Sequence, residues 1–281
     1  MNSNPAEGVT SNIHANIVVH SRLAAVYNET EPHFRPENQE RVTHILKDVR
    51  RRATGGKLLD VGCGTGFIIN LVKGLFDEIH GIDITEEMLK RVDTSGANVT
   101  LHRGQVEKMP FADASFDVVT AYAFLHHVEN TERVLSEVYR VLRPGGIMYI
   151  GLDPNRLFWQ AMKTLEESGD DTLDPMVKRE IDAVLHIDDK LGEDYGLDPE
   201  VVRRAEPMKS ERGGLDPSDL AAEAKRVGFR QVEFTPDWFL GQGTVMHGDS
   251  FETADKIDAY LRKVIPLSTA LFKYLRFILV K

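Results

Sequence analysis

The sequence predicts an α/β protein built around a largely parallel sheet. Three observations point there. Short apolar runs recur along the first 150 residues, helix-like stretches separate them, and glycine or proline marks many of the junctions. Strands alternating with helices at this spacing imply βαβ units with right-handed crossovers.

Residues 1–20 read as loosely ordered. Residues 37–52 carry dense charge and few apolar positions, as a surface helix does, and Gly55-Gly56 ends it. A buried strand follows at 57–62, then a helix at 67–75. A second strand spans 78–83, and Thr85 is placed to cap a helix at 86–92. Further strands fall at 98–102 and 116–122. The helix at 132–142 stops at Arg143-Pro144-Gly145-Gly146, and 147–151 is a fifth strand. Residues 152–214 hold no clear strand. Asp216 then caps a helix at 217–227 that has proline in its first position. A sixth strand (231–239), a helix near 252–264 ended by Pro266, and a β-rich run at 274–280 complete the chain.

The 281 residues suffice for one large α/β domain with an inserted cap, or for two modest domains. No apolar run reaches the roughly 18 residues of a membrane span. The first ten residues carry neither a signal-peptide core nor a transit pattern. A cytoplasmic address is therefore expected, without membrane association. A single cysteine, Cys63, excludes an intramolecular disulfide and a cysteine-only metal cluster.

The formal net charge is −10, and 13 acidic against 3 basic residues fall between Glu166 and Glu200. The rest of the chain is close to neutral. No basic face is available to displace counterions from phosphates, so a nucleic-acid partner is not expected. The acidic block is either a solvated face or a screen that turns anions away.

The strongest motif is Leu58-Leu59-Asp60-Val61-Gly62-Cys63-Gly64-Thr65-Gly66. A side chain at Gly62 or Gly64 would meet a ligand lying across the strand end, and glycine allows positive φ in the turn. The next helix offers free N–H groups. A nicotinamide dehydrogenase would place its third glycine where Phe67 stands; here the glycine comes one residue early, at Gly66. Asp83 ends the second strand, 21 residues after Gly62. A carboxylate there accepts from both ribose hydroxyls, which indicates an adenosine ligand without naming the cofactor.

Five blocks, 58–66, 81–84, 104–111, 116–128 and 142–146, together resemble the class I S-adenosylmethionine-dependent methyltransferases. The likeness is to the broad group that includes ubiquinone-biosynthesis C-methyltransferases and many small-molecule methyltransferases. The resemblance implies a Rossmann-like seven-stranded sheet in the order 3-2-1-4-5-7-6 with the last strand antiparallel, helices on both faces and a helical cap. It divides the chain into a lid segment (1–36), a cofactor-binding core (37–151), an acidic, mainly helical cap (152–214) and a segment completing the sheet (215–281).

The same resemblance implies S-adenosylmethionine as cofactor and S-adenosylhomocysteine as product. Asp60, Gly62 and Gly64 would surround the methionine moiety, with Cys63 and Gly66 in the same loop. Asp83 would hold the ribose, with Ile84 and Met88 against the adenine. Gln105 stands where the family usually has an acid; its amide oxygen can still accept from the adenine amino group, without charge. Val106 would offer its backbone N–H to the ring. Ala121 and the residues up to His127 would floor the site beneath the methyl group, and Tyr27 would reach the methionine end from the lid.

His126 and His127 are candidates for a general base, or else supports of the pocket. No metal site is expected, because adjacent side chains point apart and no second cluster of ligand residues is apparent. Phe158-Trp159 and Met162 form either a pocket wall or a core stripe.

The expected chemistry is in-line methyl transfer to a small organic acceptor, neutral or cationic, on oxygen, nitrogen or carbon. Two alternatives stay open: a cyclase or lyase using the same cofactor, and a non-catalytic cofactor-binding subunit. Neither the acceptor nor the oligomeric state can be read from the sequence, and a homo-oligomer remains open.

Overall fold

The computed structural model describes residues 5–281, with side chains from residue 12 onward. Seven strands form one sheet: β1 (Lys57–Val61), β2 (Glu78–Asp83), β3 (Val99–Arg103), β4 (Phe116–Tyr122), β5 (Leu142–Pro154), β6 (Gln231–Phe239) and β7 (Phe272–Val280). Their order is β3-β2-β1-β4-β5-β7-β6, as expected. The pairings among β1 to β5 are parallel, and β7 runs antiparallel to both neighbours.

The central strands are buried on both faces, which is why they read as continuous apolar runs. Leu59, Val61 and Val119 meet Val134, Leu135 and Val138 of the helix Thr131–Val141, and Leu220 of the helix Pro217–Val227. On the other face Leu58, Val118 and Ile147 meet Val42, Leu46 and Val49 of the helix Pro36–Arg52 and the helix Phe67–Val72. The alternation of Leu58 and Leu59 between faces is the period-2 geometry of a strand.

Sequence and structure differ at several ends. The fifth strand is longer than its apolar run: β5 begins at Leu142, and its pairing with β7 is irregular between Ile150 and Asp153. Leu152, inside that irregularity, has φ +60. The first crossover helix ends at Val72, short of residue 75; the next, Glu86–Leu89, stops short of residue 92, with Thr85 at its N-cap making no side-chain bond. A further helix, Gln242–Gly248, precedes the expected Phe251–Lys263.

The largest departure is at the amino terminus. Among the described residues Pro5–Leu23 is a single helix, where loose order was expected. Ala15, Val19 and Leu23 recur every four residues and pack on Val202 and Ala205. Such a narrow apolar stripe gives little local signal, and its partner lies far along the chain.

Residues 152–154 still belong to β5, and the segment from there to residue 214 is helical: Arg156–Glu167, Pro175–Leu185, Ile187–Tyr195, Pro199–Ala205 and the short Pro207–Ser210. Asp174 and Asp198 cap two of these helices, accepting from the N–H of Met176 and Glu200 at 2.8 and 2.9 Å. Each is followed by proline in the first helical position, the signature already visible at Asp216. Of the acidic residues between 166 and 200, all but Glu180 and Asp188 are exposed, which favours the solvated-face reading. Phe158, Trp159 and Met162 pack with Ile181 and Val184 as the core of this region.

Candidate active site

The chain turns to opposite sides of the sheet after β1 and β4, and open α/β sheets bind ligands beyond the strand ends at such a switch point. A cleft enclosing about 940 Å³, its open mouth included, lies there. Its walls include Tyr27, Asp60, Gly62, Cys63, Gly64, Asp83, Ile84, Met88, Gln105 and Val106, all expected from the sequence. Gly66 and Ala121 are not on its walls. Gly66 has φ +88 at the helix start, and a Cβ there would lie 2.8 Å from Val92. Ala121 is buried in the sheet core, and Ala123, with φ +52, lines the cleft in its place.

The three loop glycines serve different ends. A Cβ on Gly62 would sit 2.1 Å from the Phe124 ring, so protein atoms rather than a ligand exclude a side chain there. A Cβ on Gly64 would meet nothing within 4 Å. Gly64 is therefore the position where the space belongs to the cleft. The Cys63 side chain turns away into the core, with Sγ 2.9 Å from where a Cβ on Gly81 would lie, and burial pushes its thiol up.

Asp83 is held by two backbone donors, the N–H of Gly64 at 2.9 Å and of Thr85 at 2.8 Å. Each oxygen keeps acceptor capacity for a ligand hydroxyl. Asp60 is 2 % exposed. Thr120 Oγ1 donates to it at 2.6 Å. Burial raises the Asp60 carboxyl to about 7, opposed by the Thr120 hydroxyl and reinforced by the nearby Asp83.

Aromatic side chains tie the amino-terminal segment to the cleft. His33 packs edge-on to Phe67 at 4.8 Å and to Tyr27 at 5.9 Å, and Phe67 lies 5.0 Å from Tyr122. Phe67, the residue that breaks the dehydrogenase pattern, thus anchors the segment above it. Burial holds the His33 ring neutral, at about 4, and raises the Tyr27 hydroxyl, with Glu31 adding to the effect.

A second cavity of about 900 Å³ adjoins the cleft. His20, Tyr27, His33, Ala123 and His127 line both. Its remaining walls include Glu31, Trp159, Glu206, Lys209 and Tyr274. His126 opens onto this cavity and not onto the cleft. The Trp159 indole N–H is buried without a partner among the described residues.

The two adjacent histidines do not diverge as expected: in the short 3-10 turn Leu125–His127 their ring centroids lie 4.1 Å apart. His126 Nδ1 is 2.9 Å from Asp153 Oδ1, which also accepts the His126 backbone N–H at 3.0 Å. His127 Nδ1 is 3.0 Å from the Ala205 carbonyl. A carbonyl only accepts, so the hydrogen-bond network assigns the proton to Nδ1 and leaves Nε2 a free acceptor. Burial, then the neighbouring His126 and His20, keep the His127 ring neutral. Burial works against the charge of Glu206, but the ion-paired Lys209 outweighs it and holds the carboxyl ionised.

Asp153, Glu206 and Lys209 were missed in the sequence. Asp153 had a faint signal, an acid at a strand end two residues after Gly151. Glu206 and Lys209 had none, since their place depends on how the cap docks.

A largely parallel sheet in this order, with a glycine turn after β1 and a carboxylate ending β2, forms a cleft suited to a nucleoside-type ligand. Residues 59–150 match the family described as Methyltransferase domain. Residues 59–150 thus carry a methyltransferase domain, of the kind that uses S-adenosylmethionine as cofactor.

Among curated relatives, a Mycolicibacterium smegmatis protein named "Probable S-adenosylmethionine-dependent methyltransferase" is 29 % identical over 165 residues, covering 58 % of this chain and 62 % of the relative. The demethylmenaquinone methyltransferase of Chlorobaculum parvum is 38 % identical over 108 residues, covering 37 % of this chain and 45 % of the relative. The matches thus span less than two thirds of these relatives' lengths. Among solved structures, phosphoethanolamine N-methyltransferase 2 of Haemonchus contortus, bound to phosphomonomethylethanolamine and S-adenosylhomocysteine, superposes with a TM-score of 0.56 at 19 % identity. That match covers 92 % of this chain and 56 % of the other, and it shows a shared fold.

Proposed function

We propose that this chain transfers the methyl group of S-adenosylmethionine to a small organic acceptor held in the second cavity. One observation carries the reading: cofactor-type cleft and second cavity share a wall of His20, Tyr27, His33, Ala123 and His127. A methyl group at the inner end of the cleft would face an acceptor where the two spaces meet at these side chains. The enzyme's main contribution would be alignment of the acceptor atom with the methyl–sulfur axis, worth up to about 7–11 kcal/mol.

In this reading Asp83 accepts from the ribose hydroxyls, Ile84 and Met88 pack on the adenine, and Gln105 and the Val106 N–H meet its edge. Asp60, Gly62 and Gly64, with the Cys63 backbone, enclose the methionine moiety, and Tyr27 closes its end. Residues 37–151 and 215–281 act as the cofactor-binding core; residues 1–36 and 152–214 act as one acceptor-selecting lid. His127, neutral with Nε2 free, is the better placed of the two histidines to take a proton if the acceptor must lose one. His126 orients this wall through Asp153. Glu31, Glu206 and the Trp159 N–H suit an acceptor with polar groups, neutral or cationic, on oxygen, nitrogen or carbon. No helix among the described residues is long and apolar enough to cross a membrane, and we place the activity in the cytoplasm.

The test is methyl transfer from labelled cofactor to panels of small molecules, peptides and RNA. Labelled small molecules with release of S-adenosylhomocysteine are expected. Labelling of RNA or protein alone would overturn the acceptor reading. Release of 5′-methylthioadenosine would indicate cyclase or lyase chemistry, and binding without turnover a cofactor-binding subunit.

A further inference from the structure

We propose that His126, His127 and Glu206 form a site for one divalent transition-metal ion in the wall of the second cavity. One ligand atom from each of the three lies within 4.8 Å of the others. A metal bound at about 2.0–2.2 Å from each ligand would have to draw this set closer together.

The hydrogen bonds around the trio are those of metal-binding histidines. Such a histidine gives its second ring N–H to a carboxylate or a backbone carbonyl, which fixes the tautomer and aims the free nitrogen. His126 has Asp153 at 2.9 Å in that role, and His127 has the Ala205 carbonyl at 3.0 Å. Both leave Nε2 free on neighbouring rings.

The charge around the trio favours a cation. Asp153 is fully buried, and its Oδ2 has no partner among the described residues. Glu206 and Glu31 line the same cavity. Against these carboxylates stand Lys209 and Lys273, and Lys273 is paired with Glu180 at 2.6 Å. Lys209 is the competitor, since it pairs with Glu206. It also pairs with Asp188 at 2.8 Å, so it keeps a partner when Glu206 turns to a metal.

Two imidazoles and one carboxylate suit zinc, cobalt(II) or iron(II) and leave coordination positions open. If the proposed methyl transfer holds, an oxygen or nitrogen of the acceptor would fill one of them; with Nε2 on the ion His127 would not be the base, and the ion would acidify the acceptor instead.

The experiment uses the purified full chain, stripped with chelator and titrated with cobalt(II) followed by visible absorption, with zinc competition. No methyl acceptor is needed, so the result is independent of the activity assay. One cobalt ion per chain with a d–d band is expected. Glu206→Gln and His127→Ala, each checked for folding by circular dichroism, should weaken binding at least tenfold. Lys209→Met should strengthen it by removing the competitor. Glu206→Gln changes shape least and suffices if the histidine variant misfolds. Absence of a stoichiometric ion in the wild type overturns the site, as does unchanged affinity in Glu206→Gln. Retention of tetramethylammonium in place of metal would also overturn it, by giving the excess negative charge to an organic cation.

Discussion

Around the glycine loop, the constraints are close in sequence. Gly62, Gly64 and Gly66 all take positive φ, the N–H groups of Gly62 and Cys63 donate to the Ile82 carbonyl, and that of Gly64 donates to Asp83. The second cavity is assembled differently. Tyr27, His127, Trp159, Glu206 and Tyr274 come from five separate parts of the chain. A cleft made by one turn and its neighbouring strand can keep its shape while the cavity beside it is rebuilt. This difference gives a physical reason for a shared cofactor cleft beside a cavity that can select different acceptors.

The contrast is sharpest at the glycines. Gly62→Val should cost several kcal/mol, in the range of about 4–5 for the severest single changes, because Phe124 occupies the space. Gly64→Ala should cost only about 1–2 kcal/mol for a left-handed residue while abolishing cofactor binding. Thermal denaturation and calorimetric titration with S-adenosylhomocysteine separate the two effects. Normal binding by Gly64→Ala would show that the ligand does not use this space.

Asp83→Ala should follow, with a loss of about 1.5–3 kcal/mol in cofactor affinity for hydrogen bonds to a charged group. The same titration measures it, and unchanged affinity would remove Asp83 from the site.

Asp60 should make binding depend on pH. Its folded carboxyl is raised from 3.8 to about 7, so below that value the cleft holds a neutral acid. If Asp60 meets the cationic methionine end, affinity should fall about tenfold from pH 8 to pH 6 by one-proton linkage. Asp60→Asn should flatten this profile and bind more weakly at pH 8. Stability moves too. Between the two pKa values the folded state holds a proton that the unfolded chain has released. The Asp60 contribution therefore declines as pH rises from about 4 to 7 and then levels. Melting curves of Asp60→Asn should lose that part of the pH dependence.

The lid contact should yield a smaller and more local effect. Val202→Ala removes two buried carbons opposite Ala15 and Val19, worth about 1–2 kcal/mol. Hydrogen exchange should rise in residues 12–23 and 199–205 with cofactor affinity intact. A loss of cofactor affinity would mean that the lid and the cleft are one unit. Smallest is Asp198→Ala, which removes a helix cap worth about 1 kcal/mol and should appear only as a lower melting temperature.

What the sequence by itself determined is the sheet and the cleft. Buried parallel strands must be apolar, a turn with positive φ needs glycine, and a strand-end acid next to such a turn has few other uses. All three leave marks within a few residues of where they act, so the strands, the glycine turn and Asp83 were legible; the strand order and the other cleft residues came with the family resemblance that these marks carry. Gly66 and Ala121 lie a residue or two from positions on the cleft wall, a distinction that no local sequence pattern carries. The tertiary structure alone decided the rest. The helix Pro5–Leu23 rests on an apolar stripe whose partner is some 190 residues away in sequence, from Ala15 to Ala205. The facing of His126 and His127, and the arrival of Glu206 and Lys209 beside them, depend on the docking of the cap. Contacts between distant segments are set by packing and charge in three dimensions and leave no local period to read.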